Sequence, residues 1–77
     1  MSVMAAPDTA LLSSGDLSPR ELRVLRLLAD GYRTSEIATE LHYSERTIKH
    51  SIANMTARLH LRNRTQAVAL AARRGLI

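Results

Sequence analysis

The stretch "YSERTIKHSIANMTARLHL", residues 43–61, gathers the side chains best equipped for chemistry. At about 100° per residue, Arg46, His50, Ala53 and Ala57 fall on one side of a helix, with Lys49 and Asn54 on its flanks. Met55, Ile48, Leu59 and Ile52 fall opposite, in a wedge roughly 60° wide. A guanidinium, an ammonium, an imidazole and an amide on one face can hold phosphates and hydrogen-bond to the edges of planar rings. Bond-making chemistry is another matter. The chain has no nucleophile–base–acid set and no phosphate loop, and its serines are best explained as helix caps, so an enzyme is not expected. Cysteine is absent, and His42, His50 and His60 lack metal-site spacing and a carboxylate cluster, so neither a metal nor a cofactor is expected.

An element that presents such a face has to be held from behind. Residues 1–16 mix Ala, Ser, Pro7 and Gly15 without helical periodicity and read as a flexible tail or linker remnant, leaving 17–77 as the single domain. Within "LSPRELRVLRLLADG", Ser18 is a helix N-cap, Pro19 sits at the first helical position and Glu21 completes a Ser-x-x-Glu capping box. Leu22, Leu25, Leu28 and Ala29 form the inward stripe, widened by Val24 and Leu27, and Gly31 fits the left-handed position after the helix.

"TSEIATEL" reads as a short second helix with Thr34 as its cap and Ile37, Ala38 and Leu41 inward. After a tight break at His42-Tyr43, Ser44 caps the third helix. Asn63 and Gln66 form a further capping box opening "RTQAVALAARR", which Gly75 stops, so that Leu76 and Ile77 can fold back on the core. Four helices and no strand signal predict an all-α fold. The unit over 34–59 has the dimensions of a helix-turn-helix.

Charge narrows the partner. The 77-residue chain carries a formal net charge of +4, unevenly distributed. Residues 44–77 hold seven Lys/Arg against one acid, a net +6, whereas the first 43 residues sum to −2. A one-sided excess suits a phosphate backbone, and equally a merely solvated surface. With Tyr32 and Tyr43 as the only aromatics, a stacking platform for single strands is not expected, so a nucleic-acid partner would be duplex DNA. Ala53 and Ala57 are short enough to let a helix backbone sit deep in a major groove. No apolar run approaches the roughly 20 residues of a membrane span, and the start is a poor secretion signal, so a soluble cytoplasmic protein with no membrane contact is expected.

Taken together, "LSPRELRVLRLLADG", "EIATEL", "SERTIKH" with Asn54 after it, "RLHLRNRTQAVALA" and the closing "GLI" resemble the LuxR/FixJ/GerE-type helix-turn-helix domain of bacterial transcription regulators. The resemblance spans 17–77. It implies a four-helix domain whose third helix reads the major groove and whose fourth pairs two subunits. Carried over by position, it places Lys49, His50 and Ala53 near base edges, Ser44, Arg46 and Thr47 near phosphates, and Asn54 on the adjoining flank.

The residues themselves allow alternatives. Lys49 can donate to guanine O6/N7 or to a phosphate, His50 can meet a base edge or merely fill an exposed position, and Ala53 can touch only a thymine methyl. Arg62 and Arg64 can grip a neighbouring strand or stay solvated.

Three positions depart from the family pattern. Ser51 stands where His is usual, which removes a side chain that braces the recognition helix. His60 follows Leu59 where Gly is usual, and Arg33 replaces a small cap, leaving Thr34 to cap and Arg33 as a further phosphate contact.

The fourth helix is apolar nearly all round. Val68 and Ala71 are expected to pack inward, leaving Ala69, Leu70 and Ala72, together with Arg73, for an isologous homodimer contact. Two recognition helices about one DNA turn apart would then read an inverted repeat. An exposed alanine-rich helix favoured by propensity alone is the alternative. RNA polymerase is a further candidate partner. Competing readings are the DNA-binding region of a sigma factor, against which the "LHLRNRTQAV" segment and fourth helix count, and a small helical module docking its basic face on an acidic protein.

Overall fold

The computed structural model describes residues 14–77. Most of the expected tail, residues 1–13, lies outside the described residues. Ser14–Asp16 form a single 3-10 turn and Leu17 is buried, so described structure begins slightly ahead of the expected boundary at 17. Four helices follow: α1 (Pro19–Ala29), α2 (Thr34–Leu41), α3 (Glu45–Arg58) and α4 (Arg64–Arg73). No strand occurs among the described residues, and the architecture is the all-α, four-helix one expected.

Each helix starts where a local hydrogen bond satisfies backbone groups that the helix itself cannot. At α1, Ser18 Oγ accepts from the Glu21 backbone N–H at 3.0 Å, and Glu21 Oε1 accepts from the Ser18 N–H at 2.9 Å. At α4, Asn63 Oδ1 accepts from the Gln66 N–H at 2.9 Å. The Gln66 side chain reaches one residue further back than a capping box requires, accepting from the Arg62 N–H at 2.7 Å. At α2 the expectation needs correction. Arg33, not Thr34, is the N-cap residue, and its backbone N–H donates to the Glu36 carboxylate at 2.8 Å. Thr34 is already inside the helix, is buried, and turns its hydroxyl toward Glu45.

All four helices end alike. A backbone N–H two or three residues past the helical stretch returns to a carbonyl five residues back: Tyr32 to Leu27, Tyr43 to Ala38, Leu61 to Thr56 and Leu76 to Ala71. The preceding residue must then adopt a left-handed conformation. Gly31 (φ +91°) and Gly75 (φ +72°) do so without a Cβ clash, and His42 (φ +63°) and His60 (φ +58°) do so with one. His60 thus takes the left-handed conformation at the position where the family pattern has Gly.

Helix α1 packs on each of the other three, and α2 lies chiefly along α3. Its central Val24 and Leu25 are fully buried and serve two apolar clusters. One joins Val24 to Ile37, Ala38, Ile48 and Ile52 and fixes the α2–α3 pair; the other joins Leu17 and Leu25 to Met55, Leu59, Ala67, Leu70 and Ala71. Leu28 packs against both, and Leu76 and Ile77 close over the second. Ala29 is exposed rather than part of the inward stripe. Leu70, expected to be partly bare, is 5% exposed. In a run of small apolar residues any phase can face inward, and here the large side chain takes the core position.

Candidate nucleic-acid interface

Helix α3 is anchored along one edge only. Ile48, Ser51, Ile52 and Met55 are buried within it, while Arg46, Lys49, His50, Ala53, Asn54 and Ala57 are exposed. At its start Ser44 Oγ accepts from the Thr47 N–H at 3.1 Å and donates to Thr47 Oγ1 at 2.9 Å. Ser44 is therefore committed to the cap, and the Thr47 hydroxyl proton is what this end of the helix offers outward.

Glu45, the one acid of α3, ties the helix-turn-helix together. Its Oε2 accepts from Thr34 Oγ1 at 2.8 Å and lies 3.7 Å from Lys49 Nζ. The Lys49 and Glu45 side chains are 65% and 44% exposed, so this pair is screened and contributes no more than about 1 kcal/mol. It orients the ammonium without withdrawing it. Arg33 stands fully outward, its Nε 3.8 Å from Glu36 Oε1.

The structure brings several expected cations to one side. Arg64, at the first position of α4, borders two adjoining hollows. One also holds Thr34, Lys49 and Ala53, and the other Arg33, Thr34 and Glu45. Thr34 forms the wall between them, engaged with Glu45. Arg62 is exposed but borders neither hollow, so it is not gathered with the others.

On the opposite flank of α3 lies a polar cleft of about 580 Å³, bordered by Arg20, Glu21, His50, Ser51, Asn54 and Arg58 among others. Its organising group is the Arg58 guanidinium. Nη2 donates to Glu21 Oε1 at 2.7 Å and to the Asp16 carbonyl at 3.0 Å; Nη1 donates to Glu21 Oε2 at 3.0 Å and to Asn54 Oδ1 at 3.1 Å. Burial pushes the Glu21 carboxyl up, but the Arg58 hydrogen bond, the Ser18 N–H and the charges of Arg58 and Arg20 outweigh it, leaving the pKa lowered. Arg58 is raised, chiefly by its hydrogen bond to Glu21 and against its own desolvation.

Ser51 is buried beside this pair and is too short to brace α3. Arg58 supplies the tie to α1 instead. Arg20 lies over the Tyr43 ring at 5.0 Å, at the turn into α3.

Sequence reasoning missed Arg58, Glu21 as its partner, and Arg20. One signal was available: Glu21, Leu25 and Leu28 share an i, i+4, i+7 line, so Glu21 points the way of the core and requires a partner there. Asn54 is exposed as expected, with its oxygen engaged.

Along α4 the outward positions are Arg64, Thr65, Ala69, Ala72 and Arg73, with Val68 half-buried. Leu70 is not among them. No helix among the described residues is long and apolar enough to cross a membrane, and no group of three or more His, Cys, Asp or Glu that could hold a metal occurs there.

Residues 15–71 match the family model described as "Bacterial regulatory proteins, luxR family". The chain is also 39% identical over 61 residues to "Response regulator protein VraR" of Staphylococcus aureus (strain Mu3 / ATCC 700698), and equally to its namesakes in Staphylococcus saprophyticus and Staphylococcus epidermidis. These alignments take in 79% of this chain but 29% of each relative, so the chain spans under a third of their length. No solved structure gives a significant match.

Proposed function

This chain belongs to the luxR family of bacterial regulatory proteins, and from that premise we propose that it is the DNA-binding domain of a transcription regulator, with α3 lying in the major groove of duplex DNA. The observation that carries the reading is the division of α3. Its buried edge is anchored by Ile48, Ile52 and Met55, and its free face holds Arg46, Lys49, His50, Ala53 and Asn54 with Glu45 as the only acid. Relatives named as response regulators support the same assignment.

In this reading Lys49 and His50 donate to base edges and Ala53 permits close approach of the backbone. Arg46, the Thr47 hydroxyl, Arg33 and Arg64 hold phosphates on either side of the groove, positioning the helix without reading sequence. Arg62 is a peripheral contact. Thr34 acts from behind, through Glu45.

Two domains pair through the outward face of α4, where Ala69 and Ala72 allow close backbone approach and Arg73 borders the contact. Pairing would set two recognition helices about one turn of DNA apart on an inverted repeat, roughly 34 Å centre to centre. The test is selection of bound duplexes from a random pool across salt concentrations. The reading requires an enriched palindrome whose affinity falls steeply with salt; no enrichment, or binding indifferent to salt, would refute it.

A further inference from the structure

The Asn54–Arg58 contact carries consequences for what the reading face can recognise. An arginine side chain has donors and no acceptor. The Asn54 amide beside it therefore has to turn its oxygen toward the guanidinium, as it does at 3.1 Å, and its amino group away. Arg58 is itself immobilised by both Glu21 oxygens and the Asp16 carbonyl. Glu21 is buried in α1 and Asp16 precedes that helix, so the amide's orientation is set by an element well removed from the groove.

A free asparagine can read adenine by offering its oxygen and amino group side by side to N6 and N7. With the oxygen directed to Arg58, the group left to offer outward is the amino group, a donor. We propose that Arg58 is a positioning residue for base recognition: it fixes Asn54 as a hydrogen-bond donor, so that the base facing Asn54 is chosen for presenting acceptors without a donor in the major groove, guanine O6/N7 or thymine O4, in preference to adenine, whose N7 stands beside the N6 amino donor.

The inference rests on the DNA-reading role of α3 proposed above and adds a specificity to it. His50 borders the same cleft, one helical turn before Asn54.

The experiment is random-site selection with the wild-type chain and three variants, each first checked for helicity and melting. Wild type enriches guanine or thymine at one position per half-site. N54A flattens that position alone. N54D, which keeps an acceptor for Arg58 and replaces the outward donor with an acceptor, moves the preference to a donor-bearing base, cytosine or adenine. R58K retains a charge opposite Glu21 but lacks the fork that reaches Asn54, and it weakens discrimination at that same position about fivefold, leaving other positions unchanged.

Adenine enriched by wild type at the position N54A flattens would overturn the inference, as would an R58K profile that is unchanged or weakened evenly across the site. Those outcomes leave the DNA-binding reading intact. Wild type enriching no site at all would instead remove the reading itself.

Discussion

The guanidinium of Arg58 grips both carboxylate oxygens of Glu21, at 2.7 and 3.0 Å, across 37 positions of chain. It fastens the far half of the exposed helix to the scaffold at a point where the side chain in between, Ser51, is too short to help. The pair is unequal in environment: the Glu21 side chain is 9% exposed and that of Arg58 43%. Removing Arg58 therefore leaves a carboxylate in the interior, whereas removing Glu21 leaves a cation that water can reach.

Arg58→Met is accordingly expected to lower stability more than Glu21→Gln does. The first should amount to about 2–3 kcal/mol and the second to about 1 kcal/mol, since one strands a buried charge and the other does not. Thermal melts of both variants give the order; at about 4–8 °C per kcal/mol for a domain of this size the difference is readily measured.

The same pair predicts an acid limb. Glu21 has a lower pKa folded than unfolded, so the folded state binds its proton less readily. The stability it contributes is complete above the ordinary glutamate pKa and is lost as pH falls through the lowered folded value. Denaturant midpoints measured from neutrality down through the glutamate range should show this loss in wild type and a shallower one in Glu21→Gln. Parallel curves would contradict it.

The two left-handed histidines make a separate prediction. His42 and His60 occupy positions that a residue without Cβ takes at lower energy. His60→Gly should raise stability by about 1 kcal/mol, and His42→Gly by a similar amount, because the relief of the clash outweighs the added freedom of the unfolded chain. Melting temperature is the readout.

On α4, two adjacent substitutions should behave oppositely. Leu70→Ala opens the core and should destabilise the monomer by about 2–5 kcal/mol. Ala69→Glu places a charge on the outward face and should leave monomer stability within about 0.5 kcal/mol while abolishing pairing. Melts read the first effect, and sedimentation with and without an inverted-repeat duplex reads the second.

The difference between Leu70 and Ala69 also marks the limit of what the sequence disclosed. Local chemistry was legible. Ser18 with Glu21, Ser44, Asn63 and Gly31 announced helix ends through hydrogen bonds that span three or four residues, and these hold. The wedge of Ile48, Ile52, Met55 and Leu59 was legible for the same reason, because periodicity is a short-range signal, and all four are buried.

The alanine-rich fourth helix has no such contrast, so its pattern leaves the phase open, and the expected outward position of Leu70 is in fact a core one. Thr34 looked like a cap because a hydroxyl before a helix usually is one; the deciding partner, Glu45, lies 11 residues away. Arg58 was unreadable for the same cause at longer range. Asn54 is legible as a reading residue, and the engagement of its oxygen has a local signal as well, Arg58 four positions further along the same helix.

The central claim is that the exposed side of α3 meets the groove. It is tested most directly by mapping amide and side-chain chemical shifts as a selected inverted-repeat duplex is added to labelled protein. The account predicts the largest shifts at Arg46, Thr47, Lys49, His50, Ala53 and Asn54, smaller ones at Arg33 and Arg64, and little change at Arg23 and Arg26 on the outer side of α1. Shifts concentrated on α1 or α4, with Lys49 and His50 unmoved, would contradict it.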